Sequence, residues 1–272
     1  MRFATELVSC EICAGSPQRP KATAPAAYSA GSFRIMECAS CGLVYVSPRL
    51  CTEYRDACYE QEAHLVNWFR ADEKSLRMDA QAAVSAVAST GVIAGNWLDV
   101  GCGIGTLLDC AREAGFTTFG IEMNGPCADA AAARHSVLCA NAYEADIARG
   151  HYDVVTMTQV LEHIAEPARL LDLVAGWLRP GGVAFIATPR YDWLREGLSA
   201  ALGTVRPSLR VYSPEDHLYY YRPTTMGLLL RSAGLQRLDL SRAWTRRQSM
   251  RRQTMSMLGL SRGAHIAVKC RR

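Results

Sequence analysis

The sequence predicts an α/β protein, a doubly wound parallel sheet preceded by a small cysteine-clipped segment. Three observations predict it. From Asn96 onward short apolar runs alternate with amphipathic ones, the pattern of strands and crossover helices. The first of these strands ends in "LDVGCGIG", a glycine-rich turn of the kind that puts ligands at the carboxyl edge of such a sheet. Residues 1–50 instead hold two Cys-x-x-Cys pairs and little helical pattern.

The elements follow in order. Between the cysteine pairs lies "AGSPQRPKATAPAAYSAGS", whose Ala, Pro, Ser and Gly content reads as loop. Residues 51–95 read as helix, with Ala, Leu, Val and Met at steps of three and four and an exit bracketed by Gly91 and Gly95. "WLDVG" is the first strand, and "TLLDCAREAG" is a helix stopped by Gly115. "TTFGIEM" is the second strand. "PCADAAAARHS" is a helix with Pro126 in its first turn, where a missing N–H costs little. "SVLCAN" and "YDVVTMTQV" are the third and fourth strands. "PARLLDLVAGWLRPGG" is a helix ended by Pro180, Gly181 and Gly182, and "VAFIATP" is the fifth strand. After an irregular span, "TTMGLLLRSAG" is a helix, and "LQRLDLS" and "AHIAVKC" are two last strands. The chain thus divides into a cysteine segment (1–50), a helical lid or linker (51–95) and an α/β domain (96–272).

With 272 residues, 49% hydrophobic and 21% charged, the composition is that of an ordinary globular chain. No apolar run reaches 18 residues, and the N-terminus lacks a signal-peptide core, so neither a transmembrane segment nor export is expected. Of eleven cysteines, Cys51, Cys58, Cys102, Cys110, Cys127 and Cys139 scatter through the α/β pattern and Cys270 stands alone. That usage suits a reducing, cytoplasmic setting. From Arg242 onward there are nine basic residues and no acidic one, a tail that would be a solvated basic face or would attract phosphates, nucleic acid or an anionic surface.

Cys10 and Cys13 are separated from Cys38 and Cys41 by 24 residues, with Gly42 directly behind. Two such knuckles supply four sulfurs for tetrahedral zinc; an iron site is the alternative. A redox pair usually opens a helix after a strand, whereas "CGLVYVSP" reads as a strand leaving the knuckle. Four thiolates leave no open coordination position, so the metal is structural.

In the glycine turn, Asp99, Gly101, Cys102, Gly103 and Gly105 are the candidate cofactor contacts. Glu122 ends the next strand 17 residues past Gly105, where a carboxylate can accept both hydroxyls of a ribose. Two features separate a dinucleotide from S-adenosylmethionine. The dinucleotide fingerprint carries its last glycine one residue later, where this chain has Thr106. Asp99 also suits a cofactor with a free ammonium better than a pyrophosphate.

"LDVGCGIG", "IEMN", "YDVVTMTQVLEHIAEP" and "LRPGGVAFIATP" together resemble the signature segments of class I S-adenosylmethionine-dependent methyltransferases. The run from "VLEHI" to "HLYYYRP" is similar to the branch of ubiquinone-type O-methyltransferases and bacterial glycan or natural-product methyltransferases. The resemblance covers about residues 96–270. It implies a Rossmann-like, seven-stranded sheet with the Gly101–Gly105 loop around the methionine part and Glu122 on the ribose. It also implies Met123 on the adenine face, Asn141 or Ala142 at the adenine edge, and Gln159 beside the methionyl end.

For the acceptor, His217 in "SPEDHLYYYRP" is the preferred base. Glu162 and His163 follow Gln159 at helical spacing, so the three are expected on one face. They would serve as catalytic groups, as divalent-ion ligands, or as a local structural network. Tyr219, Tyr220 and Tyr221, with Tyr191 and Trp193, are candidates for an apolar or sugar-binding acceptor wall. His64, His135, His151 and His265 read as surface or packing residues. By resemblance, an N-terminal zinc ribbon either covers the acceptor side in small-molecule and sugar methyltransferases or holds RNA in a ribosomal RNA group. Few basic residues and few aromatics lie in residues 1–45, whereas RNA binders combine both. The expected function is therefore O-methylation of a small molecule or saccharide in biosynthesis. An RNA methyltransferase and a non-catalytic cofactor-fold binding module are the alternatives.

Overall fold

The computed structural model describes residues 4–14, 17–26, 31–60, 62–189, 191, 212–238 and 262–269. In chain order the first elements are strands β1 (Thr5–Glu6), β2 (Gln18–Pro25), β3 (Ser32–Cys38), β4 (Val44–Val46) and β5 (Arg49–Leu50). Helices α1 (Thr52–Glu60), α2 (His64–Ala71) and α3 (Glu73–Ala88) follow. The α/β part runs β6 (Gly95–Val100), α4 (Thr106–Glu113), β7 (Phe116–Glu122), α5 (Gly125–Ala132), β8 (Ser136–Cys139), β9 (Tyr152–Thr158), α6 (Pro167–Trp177) and β10 (Leu178–Pro189). It ends with β11 (Tyr219–Tyr220), α7 (Pro223–Ser232), β12 (Leu235–Leu238) and β13 (Arg262–Lys269).

Seven strands form the main sheet in the order β12-β13-β10-β9-β6-β7-β8. Alternation along its central strands sorts the core into two layers. Trp97, Val154 and Phe185 face one way, against Ala83 and Val87 of α3 and Leu107 and Ala111 of α4. Leu98, Val155 and Ile186 face the other way, against Leu170 and Val174 of α6 and Met226 and Leu230 of α7. Both helix sets bury residues at helical steps, which is why the amphipathic pattern located them correctly.

The sheet is not wholly parallel. β13 runs antiparallel to both β10 and β12, because an apolar run marks a strand without giving its direction. The segment read as loop also contains β2, paired antiparallel with β3. β2 is an edge strand with largely exposed residues, so it needs no apolar alternation, and an edge tolerates Pro20 and Pro25. The sheet of the cysteine segment takes its outer strand from far along the chain, in the order β11-β4-β3-β2. Tyr219 pairs with Tyr45, and Tyr220 with Val44. The basic stretch from Arg242 lies largely outside the described residues, as does Trp193.

Candidate active site and cysteine cluster

The glycine turn leaves β6 at its carboxyl end with Gly101 at φ +70. A Cβ on Gly101 would lie 2.5 Å from Cγ2 of Val160, so the position requires glycine on both conformational and steric grounds. Gly103 lies under the ring of Phe69 in α2, 3.3 Å from where its Cβ would be. Behind the loop, Arg134 Nη2 donates to the Ile104 carbonyl at 2.9 Å. His135, read as a packing residue, pairs with Asp109 at 2.9 Å.

Glu122 closes β7 and is 1% exposed. Its Oε2 accepts from the Gly103 N–H and its Oε1 from the Asn124 N–H, both at 2.8 Å, and the Tyr59 hydroxyl also donates to it. Burial lifts its pKa against the pull of these donors. Asn124 caps α5 by accepting from the Cys127 N–H, and it donates to the carbonyls of Tyr59 and Glu62. The end of α1 is therefore pinned over the strand end that carries the acid. Met123 is half-buried beside it. Asn141 accepts from the Tyr143 N–H at 3.0 Å and donates to Asp56 at 3.4 Å, and Ala142 lies at the edge of the core.

Asp99 lies beneath the loop, 1% exposed. Its Oδ1 accepts from the Thr156 hydroxyl at 2.6 Å, and Trp97 donates to the same hydroxyl at 2.9 Å. Burial pushes the Asp99 carboxyl up to about 7, with Thr156 opposing and Glu122 adding to the rise.

Gln159 does not join Glu162 and His163 on a helical face. It has φ +57 and turns both its N–H and its Nε2 to the Ala187 carbonyl, while residues 161–163 form a turn. The residue that does join them is His217, 54 positions on from His163. Ligand atoms of Glu162, His163 and His217 all lie within 4.8 Å of one another. The two imidazoles meet edge to face, with centroids 4.9 Å apart. His163 Nδ1 lies 2.8 Å from the Asp216 carbonyl, which can only accept, so Nδ1 carries the proton and Nε2 the lone pair. Nε2 faces Glu162 Oε1 at 3.7 Å. Burial, then the neighbouring His217, hold His163 below the usual histidine range. Arg55 of α1 fastens the cluster by donating to the carbonyls of His163 and Asp216. One carboxylate and two imidazoles could accept a proton or hold a divalent cation.

The tyrosines divide between two faces. Tyr219 and Tyr221 turn into the core and donate to the carbonyls of Ala165 and Leu161. Tyr220 packs with Tyr191 and Tyr212 against the cysteine-segment sheet.

The sulfurs of Cys10, Cys13, Cys38 and Cys41 lie within 4.8 Å of one another, and Cys10 is 3.6 Å from Cys41. Burial raises the Cys38 thiol, but the N–H groups of Cys41 and Ser40 and the sulfurs of Cys10 and Cys41 outweigh it and bring it down to about 7. Backbone N–H groups also point at Cys10 and Cys41. Four converging sulfurs with amide donors behind them fit a tetrahedral zinc ion.

Arg55, Tyr59, Phe69 and Asn124 escaped the reading of the sequence. The first three belong to a stretch that showed only helical periodicity, which says nothing about what the helix covers. Asn124 offered a cap signal before Pro126, without indicating its reach to α1.

Fold and site define the Rossmann-like methyltransferase class: a seven-stranded mixed sheet, a glycine loop after β6 and a buried acid closing β7. The chain belongs to the methyltransferase-domain family, whose profile matches residues 65–240. It is 31% identical over 153 residues to the ubiquinone biosynthesis O-methyltransferase of Burkholderia pseudomallei, covering 53% of this chain and 65% of that protein. The protein of the same description from Coxiella burnetii is 28% identical over 156 residues, covering 53% and 64%. The chain thus spans just under two-thirds of the length of these relatives. A SAM-dependent methyltransferase from Archaeoglobus fulgidus shares the fold with TM-score 0.53 at 19% identity, over 74% of this chain and 99% of the other.

Proposed function

We propose that this protein is an S-adenosylmethionine-dependent methyltransferase that methylates an oxygen of a small organic acceptor, with a structural zinc ion on its four N-terminal cysteines. The observation that carries the reading is the cradle formed by Glu122 and the glycine loop at the carboxyl ends of β6 and β7. The named O-methyltransferase relatives support the choice of oxygen. When bound, S-adenosylmethionine supplies a methyl group on a sulfonium, so the chain's main task is alignment. Glu122 accepts from the ribose hydroxyls, and Met123, Asn141 and Ala142 border the adenine. Gly101, Cys102, Gly103 and Gly105 enclose the methionine part above Asp99, and Gln159 borders its end.

His217 accepts the proton from the acceptor hydroxyl. His163 holds the His217 ring edge to face and is itself fixed by Asp216, with Glu162 behind. The same three side chains would also hold a divalent cation, which would lower the pKa of an acceptor hydroxyl. Loss of activity in chelator that Zn2+ alone does not restore, and its recovery on further adding Fe2+ or Mn2+, would select that variant of the reading.

Calorimetric titration of S-adenosylhomocysteine tests the cofactor half. Glu122→Gln should weaken binding about tenfold or more, the order expected for a lost charge-assisted hydrogen bond; equal affinities would overturn the ribose assignment. Labelled methyl donor incubated with metabolite and RNA fractions tests the acceptor half. Label should enter hydroxylated metabolites, and His217→Ala should abolish most of that transfer while leaving homocysteine-product affinity unchanged. Label in RNA alone would refute the small-molecule reading.

A further inference from the structure

The cysteine cluster has a neighbour whose chemistry is incomplete. Tyr45, in the middle of β4, is 0% exposed, and its hydroxyl has no hydrogen-bond partner among the described residues. A buried hydroxyl left in that state is destabilising, and a phenylalanine edge in its place would remove the penalty. The ring belongs to the same buried cluster as Cys10 and Cys38. The sulfurs of Cys10, Cys38 and Cys41 lie within electrostatic range of the hydroxyl, so they are the acceptors nearest in kind to an orphaned donor in this cluster.

Four thiolates around a divalent cation leave two net negative charges at a partly buried site, which outer hydrogen bonds help to offset. The knuckle amides supply some of them: Ile12 and Cys13 to Cys10, Ser40 and Cys41 to Cys38, and Leu43 to Cys41. These are all backbone donors. We propose that Tyr45 is a positioning residue for the metal centre, its hydroxyl donating to a thiolate sulfur once the four cysteines hold a divalent cation. The inference rests on the four-cysteine metal reading above and adds a side chain to it.

Its consequence lies in the strand that carries Tyr45. Tyr45 is in register with Tyr219. The adjacent Val46 N–H donates to the Leu218 carbonyl at 3.0 Å, and the Leu218 N–H donates to the Glu162 carbonyl at 2.8 Å. A metal centre that fixes Tyr45 therefore fixes the strand against which the Glu162–His163–His217 cluster is assembled.

The test uses the full reduced chain, stripped of metal and titrated with Co2+. Wild type should develop intense thiolate-to-cobalt charge-transfer bands with tetrahedral d–d absorption at one equivalent; their absence would overturn the metal reading and Tyr45's role with it. In Tyr45→Phe those bands should move to longer wavelength, because a thiolate that loses a hydrogen bond gives up an electron more easily. Zinc affinity, read by competition with a chelator, should fall about tenfold, while the metal-free variant melts no lower than metal-free wild type. Unchanged bands and affinity would overturn the Tyr45 inference and leave the metal reading intact. Equal loss of melting temperature with and without metal would also overturn it, showing a packing role alone.

Discussion

Asp99 and Glu122 show how two carboxyls of similar burial are set to different tasks. Glu122 receives backbone N–H groups and the Tyr59 hydroxyl at the rim of the cradle, whereas Asp99 has Thr156 beneath the loop. Burial raises Asp99 to about 7, against about 4 in an unfolded chain. A raised native pKa means the folded state holds the proton more tightly. The stability tied to neutral Asp99 is therefore fully present below about pH 4 and is lost as pH climbs through about 7. Asp99→Asn keeps an acceptor for Thr156 and removes the ionisation. Its unfolding free energy in urea should be flatter than wild type between pH 4 and 7, and parallel profiles would contradict the burial argument. Glu122 and the glycine positions were legible in the sequence because strand ends and glycines mark them directly. The pairing of His163 with His217 was not, since no periodicity links residues joined only by the fold. Helical spacing even suggested the wrong companion, Gln159, whose left-handed backbone turns it toward Ala187.

At the scale of elements, the strand–loop–helix unit from β6 to α4 is held by what surrounds it. Gly101→Ala would put a methyl group 2.5 Å from Val160 Cγ2 at φ +70. Val160 is branched at Cβ and cannot swing aside cheaply. Gly91→Ala is a matched control, at φ +93 with nothing within 4 Å of its Cβ, so it carries the backbone strain without the clash. Gly101→Ala should lose about 1–3 kcal/mol more than the control, with cofactor-product affinity reduced only in Gly101→Ala. Equal losses in the two variants would mean that Val160 yields and the loop tolerates the methyl group. Most elements were legible because their buried faces repeat at helical or strand periods, as with Leu170, Leu171 and Val174 in α6. The direction of β13 left no trace in its pattern. The short strand β11 contributes two paired residues, too few for any period to register.

Across the whole molecule, the cysteine segment and the α/β sheet are joined by more than chain connectivity. Arg49, 5% exposed, pairs with Glu6 at 2.7 Å and donates to the Tyr219 hydroxyl and the Ala165 carbonyl. Arg222, which leads into α7, reaches Glu37 of β3 at 3.3 Å. A buried guanidinium without its partners is costly, so these contacts hold the segment against the 162–166 and 218–222 stretches. The cradle proposed for the cofactor is fastened elsewhere, through Glu122 and Asn124 to the glycine loop and α1. Loosening the cysteine segment should therefore disturb the acceptor side first. Cys38→Ser, which removes one of the four converging sulfurs, should lower acceptor turnover about tenfold or more. In the same protein the calorimetric affinity for S-adenosylhomocysteine should change less than about threefold, because the cradle's own contacts run through Glu122, Gly103 and Asn124 and are left in place. Cofactor affinity that collapses while turnover at saturating cofactor holds steady would place the segment's grip on the cradle instead, through α1, which follows β5 directly in the chain.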